Sequence, residues 1–322
     1  MRLSTFVLAG LFSFSSICSL AFAQSYPDKP FTLLVGSAPG GSNDIFARAI
    51  AKPLQQALGQ VVVVENKPAV GGILANSLLA KAPADGYTLA VVSSTFTTGA
   101  AIRNNLPYDA QKSFAPVIMM ASGPLLITVG KHTPFKSLAD LVNYAQKNPG
   151  KLNYGTSGVG SINQFATELL SDTAKVKFTH VPYKGMNPAV TDLIGGQIDL
   201  LVASAPSLLS QVKGDKIRAI AVTTSDRSPV VPDIPALKES GYEKGAVDLW
   251  WGILAPAGTP EPVLDKLHVA ISQILVSAEM KAFFLKEGAV PVNKTRADFS
   301  RHIQDEISRW KVIAKTADIQ PE

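Results

Sequence analysis

The chain has 322 residues, 46% of them hydrophobic and 17% charged, with 30 Lys and Arg against 25 Asp and Glu. This length is sufficient for two domains, each with its own core. The net charge of +5 is scattered without a long basic run, which argues against a nucleic-acid partner and modestly favours anionic ligands.

The first 23 residues have the three parts of a secretory signal peptide. Arg2 precedes an apolar run from Phe6 to Phe14, and the segment ends in Ala21-Phe22-Ala23. The run is shorter than the ~20 apolar residues of a spanning helix, so an N-terminal anchor is the weaker alternative. We predict export and cleavage after Ala23, which removes Cys18, the only cysteine. Because Ile17 precedes Cys18, lipid attachment there is also disfavoured.

Strands and helices then alternate along the chain. Hydrophobic periodicity predicts three strands, at Phe31–Gly36, Val61–Val64 and Thr88–Val92, separated by helices at Asp44–Leu58 and Gly71–Lys81. A strand–helix–strand order is typical of parallel sheets with crossover helices.

The same alternation restarts further along the chain. Strands are predicted at Leu125–Val129, Leu152–Tyr154, Phe178–Val181, Asp199–Val202 and Ile217–Val222, and helices at Ser137–Lys147, Ser161–Leu170 and Pro188–Ile194. A strand at Trp250–Ala255 and a helical tail from Glu261 to about Ala317 follow. We predict an α/β fold with two domains: residues 24–122 and 247–322 form domain 1, and residues 123–246 form domain 2.

Enzyme motifs are mostly missing from the sequence. Gly155-Thr156-Ser157-Gly158 lacks the second glycine position of a G-x-S-x-G nucleophile elbow. Neither a phosphate-binding loop nor a dinucleotide-binding glycine motif occurs. The four histidines lie far apart, and none has a second His or a Cys at ligand spacing. We therefore predict no catalytic residue, no cofactor and no metal.

Glycine- and hydroxyl-rich loops instead follow the predicted strands. Residues 37–44 and 154–161 each join a strand to a helix, and residues 66–72 open the second helix. Unpaired amides and the positive end of the helix dipole make such loops suitable for anions. Asp44 is interpreted as a first-turn acid that complements this dipole. Tight turns and helix caps without a ligand are the alternative.

Two such loops in two domains favour a shared site for a small anion. Ser93 and Ser94 add hydroxyls at the carboxyl end of the third strand, where ligands of open α/β sheets bind. The predicted ligand-binding residues from these loops are Ala38, Gly40, Gly41, Ser42, Ser93, Ser94, Thr156, Ser157, Gly160 and Ser161.

A series of short motifs in collinear order resembles the Bug family, the extracytoplasmic solute receptors of tripartite tricarboxylate transporters. The motifs include Ala38-Pro-Gly-Gly41, Ala84-Asp-Gly-Tyr87, Val181-Pro-Tyr-Lys-Gly185 and Ala255-Pro-Ala-Gly-Thr-Pro260, and the resemblance covers essentially the whole chain after residue 23. It implies a type II periplasmic-binding fold, in which two domains joined by a two-strand hinge close on a ligand in the cleft between them.

The resemblance also implies a ligand class and a place of action. Family ligands are mostly small carboxylates, held by the loops that match Ala38–Ser42 and Thr156–Ser161. Asn163 stands where many members have His, and Ala203, followed by Ser204, stands where many have Asp. Because an acidic group in that region can pair with an amino-acid ammonium, Ala203 and Ser204 join the predicted site and favour a plain carboxylate.

The function implied is a periplasmic receptor that captures a small carboxylate and delivers it to the membrane subunits of a tripartite transporter. A ligand-sensing receptor for a two-component system is one alternative, and an exported enzyme acting on a carboxylate is another. Nothing in the sequence indicates an oligomer, so we expect a monomer.

Overall fold

The structure is a computed structural model that describes residues 26–320. The predicted signal peptide, residues 1–23, lies outside the described residues. The strands are β1 Phe31–Val35, β2 Val62–Asn66, β3 Thr88–Ser93, β4 Phe114–Gly130, β5 Asn153–Thr156, β6 Thr179–Pro182, β7 Leu200–Ser204, β8 Ile217–Val222, β9 Asp248–Pro256 and β10 Val290–Pro291. The α-helices are α1 Ser42–Leu58, α2 Ile73–Lys81, α3 Ser94–Ile102, α4 Leu138–Lys147, α5 Ile162–Ala174, α6 Met186–Gly195, α7 Ala205–Lys213, α8 Glu261–Val276, α9 Ala278–Lys286 and α10 Arg296–Thr316.

The strands form one hydrogen-bonded path in the order β2-β1-β3-β9-β4-β7-β5-β6, with β8 and β10 also paired to β4. Strand β1 is parallel to β2 and β3, and β5 is parallel to β6 and β7. The prediction of parallel strands with crossover helices is therefore confirmed in both halves of the sheet.

The long strand β4 joins these two halves. Its first part pairs antiparallel with β9, from Phe114↔Pro256 to Pro124↔Asp248. Its last part pairs with β7 and β8. Only that last part was predicted as a strand, at Leu125–Val129. The predicted domain boundary at 122/123 falls inside β4, and the two boundaries stay a prediction.

Strand β9 shows why the centre of the sheet is buried on both faces. Trp250 and Trp251 are adjacent, so their side chains point to opposite faces. The ring of Trp251 packs 4.6 Å from that of Phe46 in α1, and the ring of Trp250 packs 5.3 Å from that of Phe299 in α10. Both tryptophans are at most 1% exposed.

Two helices were not predicted, and the predicted helical tail is divided. Helix α3 begins with Ser-Thr-Phe-Thr-Thr, which has low helix propensity. Thr97 and Thr98 are buried, and their hydroxyls donate to the Glu306 carboxylate and to the carbonyl of Gly160, so tertiary contacts stabilise the helix. Helix α7 was also missed. In the tail, Ser277 caps α9, and a turn into β10 separates α9 from α10.

Within residues 26–320 no single helix is long and apolar enough to cross a membrane. Helices α8 and α9 meet that criterion only as a pair, and they are bent by 72° relative to each other.

Candidate ligand-binding site

A cavity of about 520 Å³ opens where several strands end and helices begin. Its first wall consists of residues from the loops before α1 and α2 and from the junction of β3 with α3: Gly36, Ser37, Ala38, Gly41, Ser42, Asn43, Pro68, Ala69, Gly71, Gly72, Asn76, Val91, Val92, Ser93, Thr95 and Phe96. Its second wall consists of Ser157, Ile162, Asn163, Lys184, Gly185, Met186, Asn187, Pro188, Ser204 and Ser207, and Leu249 of β9 also contributes.

Asp44 stabilises the loop before α1 through hydrogen bonds outside the cavity lining. The Asp44 carboxylate accepts hydrogen bonds from the amide of Gly40, Nε of Arg48 and Nδ2 of Asn66, each at 2.9 Å. Burial alone would raise the pKa of Asp44, but these three donors lower it below its ordinary value. Asp44 does not line the cavity, so its negative charge shapes the loop without facing a ligand.

Ser42 and the start of α1 present donors to the cavity. The hydroxyl of Ser42 accepts a hydrogen bond from Nε1 of Trp251 at 3.2 Å, so its own proton is available to another acceptor. Among the described residues no side chain caps α1, and the first amides of a helix have no partner within it. Ser42 and Asn43 therefore offer amides and a hydroxyl at the positive end of a helix dipole.

The loop before α5 is different, because its backbone groups are largely taken by the protein. The amide of Gly160 donates to Oε1 of Gln164 at 2.8 Å. The carbonyl of Gly160 accepts from the hydroxyl of Thr98 at 2.8 Å, and the carbonyl of Val159 accepts from Arg103 at 2.6 Å. Thr98 in helix α3 and Arg103, which directly follows it, therefore fix the backbone of this loop.

The side chains near this loop are also engaged with one another. The hydroxyl of Thr156 lies 2.7 Å from Nε2 of His180, and burial lowers the pKa of His180 to about 4. The imidazole is therefore neutral at physiological pH. Ser157 donates to Oδ1 of Asn163 at 2.9 Å, and Nδ2 of Asn163 donates to the carbonyl of Val202.

The structure brings six of the predicted residues to the cavity and leaves six outside it. Those that line it are Ala38, Gly41, Ser42, Ser93, Ser157 and Ser204. Those that do not are Gly40, Ser94, Thr156, Gly160, Ser161 and Ala203. The site assignment as a whole stays a prediction.

The six outlying residues have structural environments that the sequence did not indicate. The hydroxyl of Ser94 accepts from the amide of Trp250, and Ala203 is fully buried in β7. The hydroxyl of Ser161 is buried without a hydrogen-bond partner among residues 26–320. Gly40 and Gly160 donate their amides to side chains of the protein itself.

Two lining segments were missed as site residues. One runs from Pro68 to Asn76, where Asn76 is 4% exposed and its Nδ2 donates to the hydroxyl of Tyr108 at 3.2 Å. The other runs from Lys184 to Pro188. Residues 66–72 were identified as a loop suitable for anions but were not included among the predicted site residues. The second segment begins within the family motif Val181–Gly185, which was used only for the resemblance.

Hydrogen bonds connect the two walls at two places. Nδ2 of Asn187 donates to the carbonyl of Pro39 at 3.4 Å. The amide of Ile162, the first residue of α5, donates to the hydroxyl of Thr95 at 3.4 Å. No group of three or more His, Asp or Glu side chains in the part of the chain that the structure describes is placed to hold a metal ion.

The sequence matches a known family of receptors. Residues 46–319 match the model of the tripartite tricarboxylate transporter family receptor. Protein BugT of Bordetella pertussis is 33% identical over 303 residues, which cover 94% of this chain and 93% of BugT.

Two solved structures are similar to this chain in fold and in sequence. An R. palustris protein with adipate has a TM-score of 0.89 and 35% identity, over 92% of this chain and 100% of that one. MatC from Rhodopseudomonas palustris with bound malate has a TM-score of 0.84 and 33% identity, over 89% of this chain and 99% of that one. The predicted type II periplasmic-binding fold is confirmed, and the chain belongs to the tripartite tricarboxylate transporter receptor family, which includes the Bug proteins.

Proposed function

We propose that this protein is a periplasmic receptor that binds a small organic carboxylate and delivers it to the membrane subunits of a tripartite transporter. One observation carries the proposal: free donors of Ser42 and Asn43 at the start of α1 face a cavity that no acidic side chain of residues 26–320 lines. Related structures with adipate and with malate support the ligand class.

Binding is proposed to favour the closed arrangement of the two walls. The first wall supplies the α1 donors, and the second wall supplies hydroxyl groups such as Ser204 and Ser207, whose oxygens lie 2.8 Å apart. A ligand that contacts both walls stabilises the state in which they are close, by the difference in its affinity for the two states.

Thermal denaturation of the mature chain with a panel of carboxylates tests the ligand class. A carboxylate present at one hundred times its Kd should stabilise the folded state by about 2.7 kcal/mol. The corresponding neutral diamide, adipamide against adipate for example, is the matched control and should produce no shift. If no carboxylate in the panel raises the melting temperature, the proposal is wrong.

Two further measurements address delivery and turnover. Membrane vesicles that contain the transporter's membrane subunits should take up labelled ligand only when the receptor is added. NMR of the ligand after prolonged incubation with the receptor should show it unchanged, whereas a chemically altered ligand would favour the enzyme alternative.

A further inference from the structure

Lys184 is the only residue with an ionisable side chain among the cavity-lining residues of the described chain. It lies in the second wall, between β6 and α6. The rest of the lining consists of glycine, hydroxyl, amide and apolar residues, without Asp, Glu, His or Arg. Lys184 is therefore the one described lining residue whose side chain carries a full charge.

This charge is not neutralised by the protein. No hydrogen bond or ion pair joins Lys184 to any side chain within residues 26–320, and the residue is exposed. Two acidic side chains, one in the following helix α6 and one in α1, have partners of their own. Asp192 accepts from the hydroxyl of Tyr183 at 2.7 Å, and Asp44 is bound by its three donors.

The backbone around Lys184 is held in place on both sides. The amide of Tyr183 donates to the carbonyl of Thr156 at 3.0 Å, which anchors the turn to β5. Gly185 has a φ of +117°, which glycine adopts readily. It opens α6, and Asn187 in the first turn of that helix reaches Pro39 of the first wall. Lys184 therefore lies on an anchored turn next to the loop that precedes α1.

An apolar surface accompanies the charged and polar ends of the cavity. Val91, Val92 and Phe96 line the first wall, and Ile162, Met186 and Leu249 complete the apolar lining. Such a surface suits a carbon chain, while the α1 donors suit one carboxylate. A second carboxylate on the same ligand would lose hydration inside the cavity unless a cation compensates it.

We propose that Lys184 pairs with a second carboxylate of the ligand and makes the site selective for dicarboxylates over monocarboxylates of the same length. This inference rests on the proposed function, since it concerns the same cavity. Because Lys184 is exposed, water and salt screen the pair, so the expected contribution is about two- to fivefold in affinity.

Isothermal titration calorimetry with matched pairs of acids tests the inference: succinate with butyrate, glutarate with pentanoate, and adipate with hexanoate. Native protein should bind at least one diacid about two- to fivefold more tightly than its monoacid. Lys184→Gln should abolish this preference by weakening the diacid alone, and Lys184→Arg should retain most of it. Lys311→Gln, which removes an exposed lysine of α10 outside the cavity lining, should change neither affinity.

The outcomes separate this inference from the proposed function. If the native protein binds neither these acids nor any carboxylate of the thermal panel, the proposed function fails. If it binds a carboxylate but prefers none of the diacids to its monoacid, carboxylate binding survives and the role of Lys184 is wrong. If it binds them but Lys184→Gln weakens both members of a pair equally, or weakens neither, carboxylate binding survives and the role of Lys184 is wrong. If Lys311→Gln reproduces the loss seen with Lys184→Gln, the effect comes from net charge, and the role of Lys184 is again wrong.

Discussion

The loop before α1 and the loop before α5 have similar sequences and different environments. Both combine glycine and serine after a parallel strand and before a helix. In the first loop Asp44 holds the backbone from behind, and Ser42 and Asn43 face the cavity. In the second loop Thr98 and Arg103 hold the carbonyls of Gly160 and Val159, and only Ser157 of that loop lines the cavity.

A glycine-rich loop at the start of a helix can therefore bind a ligand or pack against the rest of the protein. Which of the two occurs depends on whether neighbouring elements already occupy its hydrogen-bonding groups. Gly40 and Gly160 have nearly the same φ, +82° and +81°. A Cβ on Gly40 would have only Nδ2 of Asn187 nearby, at 3.6 Å, whereas a Cβ on Gly160 would lie 2.5 Å from Arg103 and 2.7 Å from Ile102.

The largest effect is expected from alanine at these two glycines. Both substitutions introduce a Cβ at positive φ, which costs about 1–2 kcal/mol. Gly160→Ala also requires the ends of the Arg103 and Ile102 side chains to shift, which disturbs the bond from Arg103 to Val159. We therefore expect a total loss of about 2–3 kcal/mol in the free energy of unfolding. Urea denaturation of the two variants measures the difference.

Gly40→Ala is the matched control for this comparison, because it shares the backbone strain and lacks the clash. Equal losses in the two variants would show that α3 does not hold the loop before α5 as described. A smaller loss in Gly160→Ala than in Gly40→Ala would contradict the comparison outright.

A second prediction concerns the support of the first loop. Asp44→Asn replaces one carboxylate oxygen by an NH2 group, which cannot accept a hydrogen bond, so at least one of the three donors to Asp44 loses its acceptor. We expect a loss of about 2 kcal/mol in the free energy of unfolding near neutral pH. Arg48 is half-exposed, with 54% of its side chain accessible, so we expect most of this loss to come from the part-buried contacts with Gly40 and Asn66.

The effect of Asp44 should depend on pH in a defined direction. Its pKa is lower in the folded protein than the ordinary 3.8, so its stabilising contribution is complete above that value. The contribution is lost as the pH falls through the lowered pKa of the folded state. Urea denaturation of native protein and Asp44→Asn at a series of pH values should show a constant gap at neutral pH that closes in acid. A gap that widens in acid would contradict the role of Asp44.

The sequence was sufficient to predict most of the sheet, because β-branched runs and helical periodicity are local signals. It failed where tertiary contacts override them. Strand β4 contains Pro116, Gly123 and Pro124, which are unfavourable in a strand. Its pairing with β9 nevertheless continues through Pro116 and Gly123 as far as Pro124, with irregularities in register. Helix α3 has a poor intrinsic propensity and depends on burial.

The sequence was sufficient to predict the chemistry of the site, which is anion binding by glycine- and hydroxyl-rich loops. It predicted only some of the residues that line the cavity. Loops with unpaired amides were identified from strand–loop–helix order alone. Which amides remain free depends on residues distant in sequence, such as Thr98 and Gln164 for Gly160. Lys184 and Asn76 are far apart in sequence, and only the fold places them on the same cavity.

The smallest expected effect is a difference in carboxylate affinity between two serine variants, one from each loop. Ser42 and Ser157 both line the cavity. Ser42 accepts from Trp251 and keeps its proton for a ligand, whereas Ser157 donates its proton to Asn163. Since a carboxylate only accepts hydrogen bonds, Ser42→Ala should weaken carboxylate binding by about tenfold and Ser157→Ala by less than about threefold. Calorimetry with the strongest-binding carboxylate measures both, with urea denaturation to verify that each variant is folded. The reverse order would mean that the second loop, despite its contacts with α3, is the main anion-binding loop of the site.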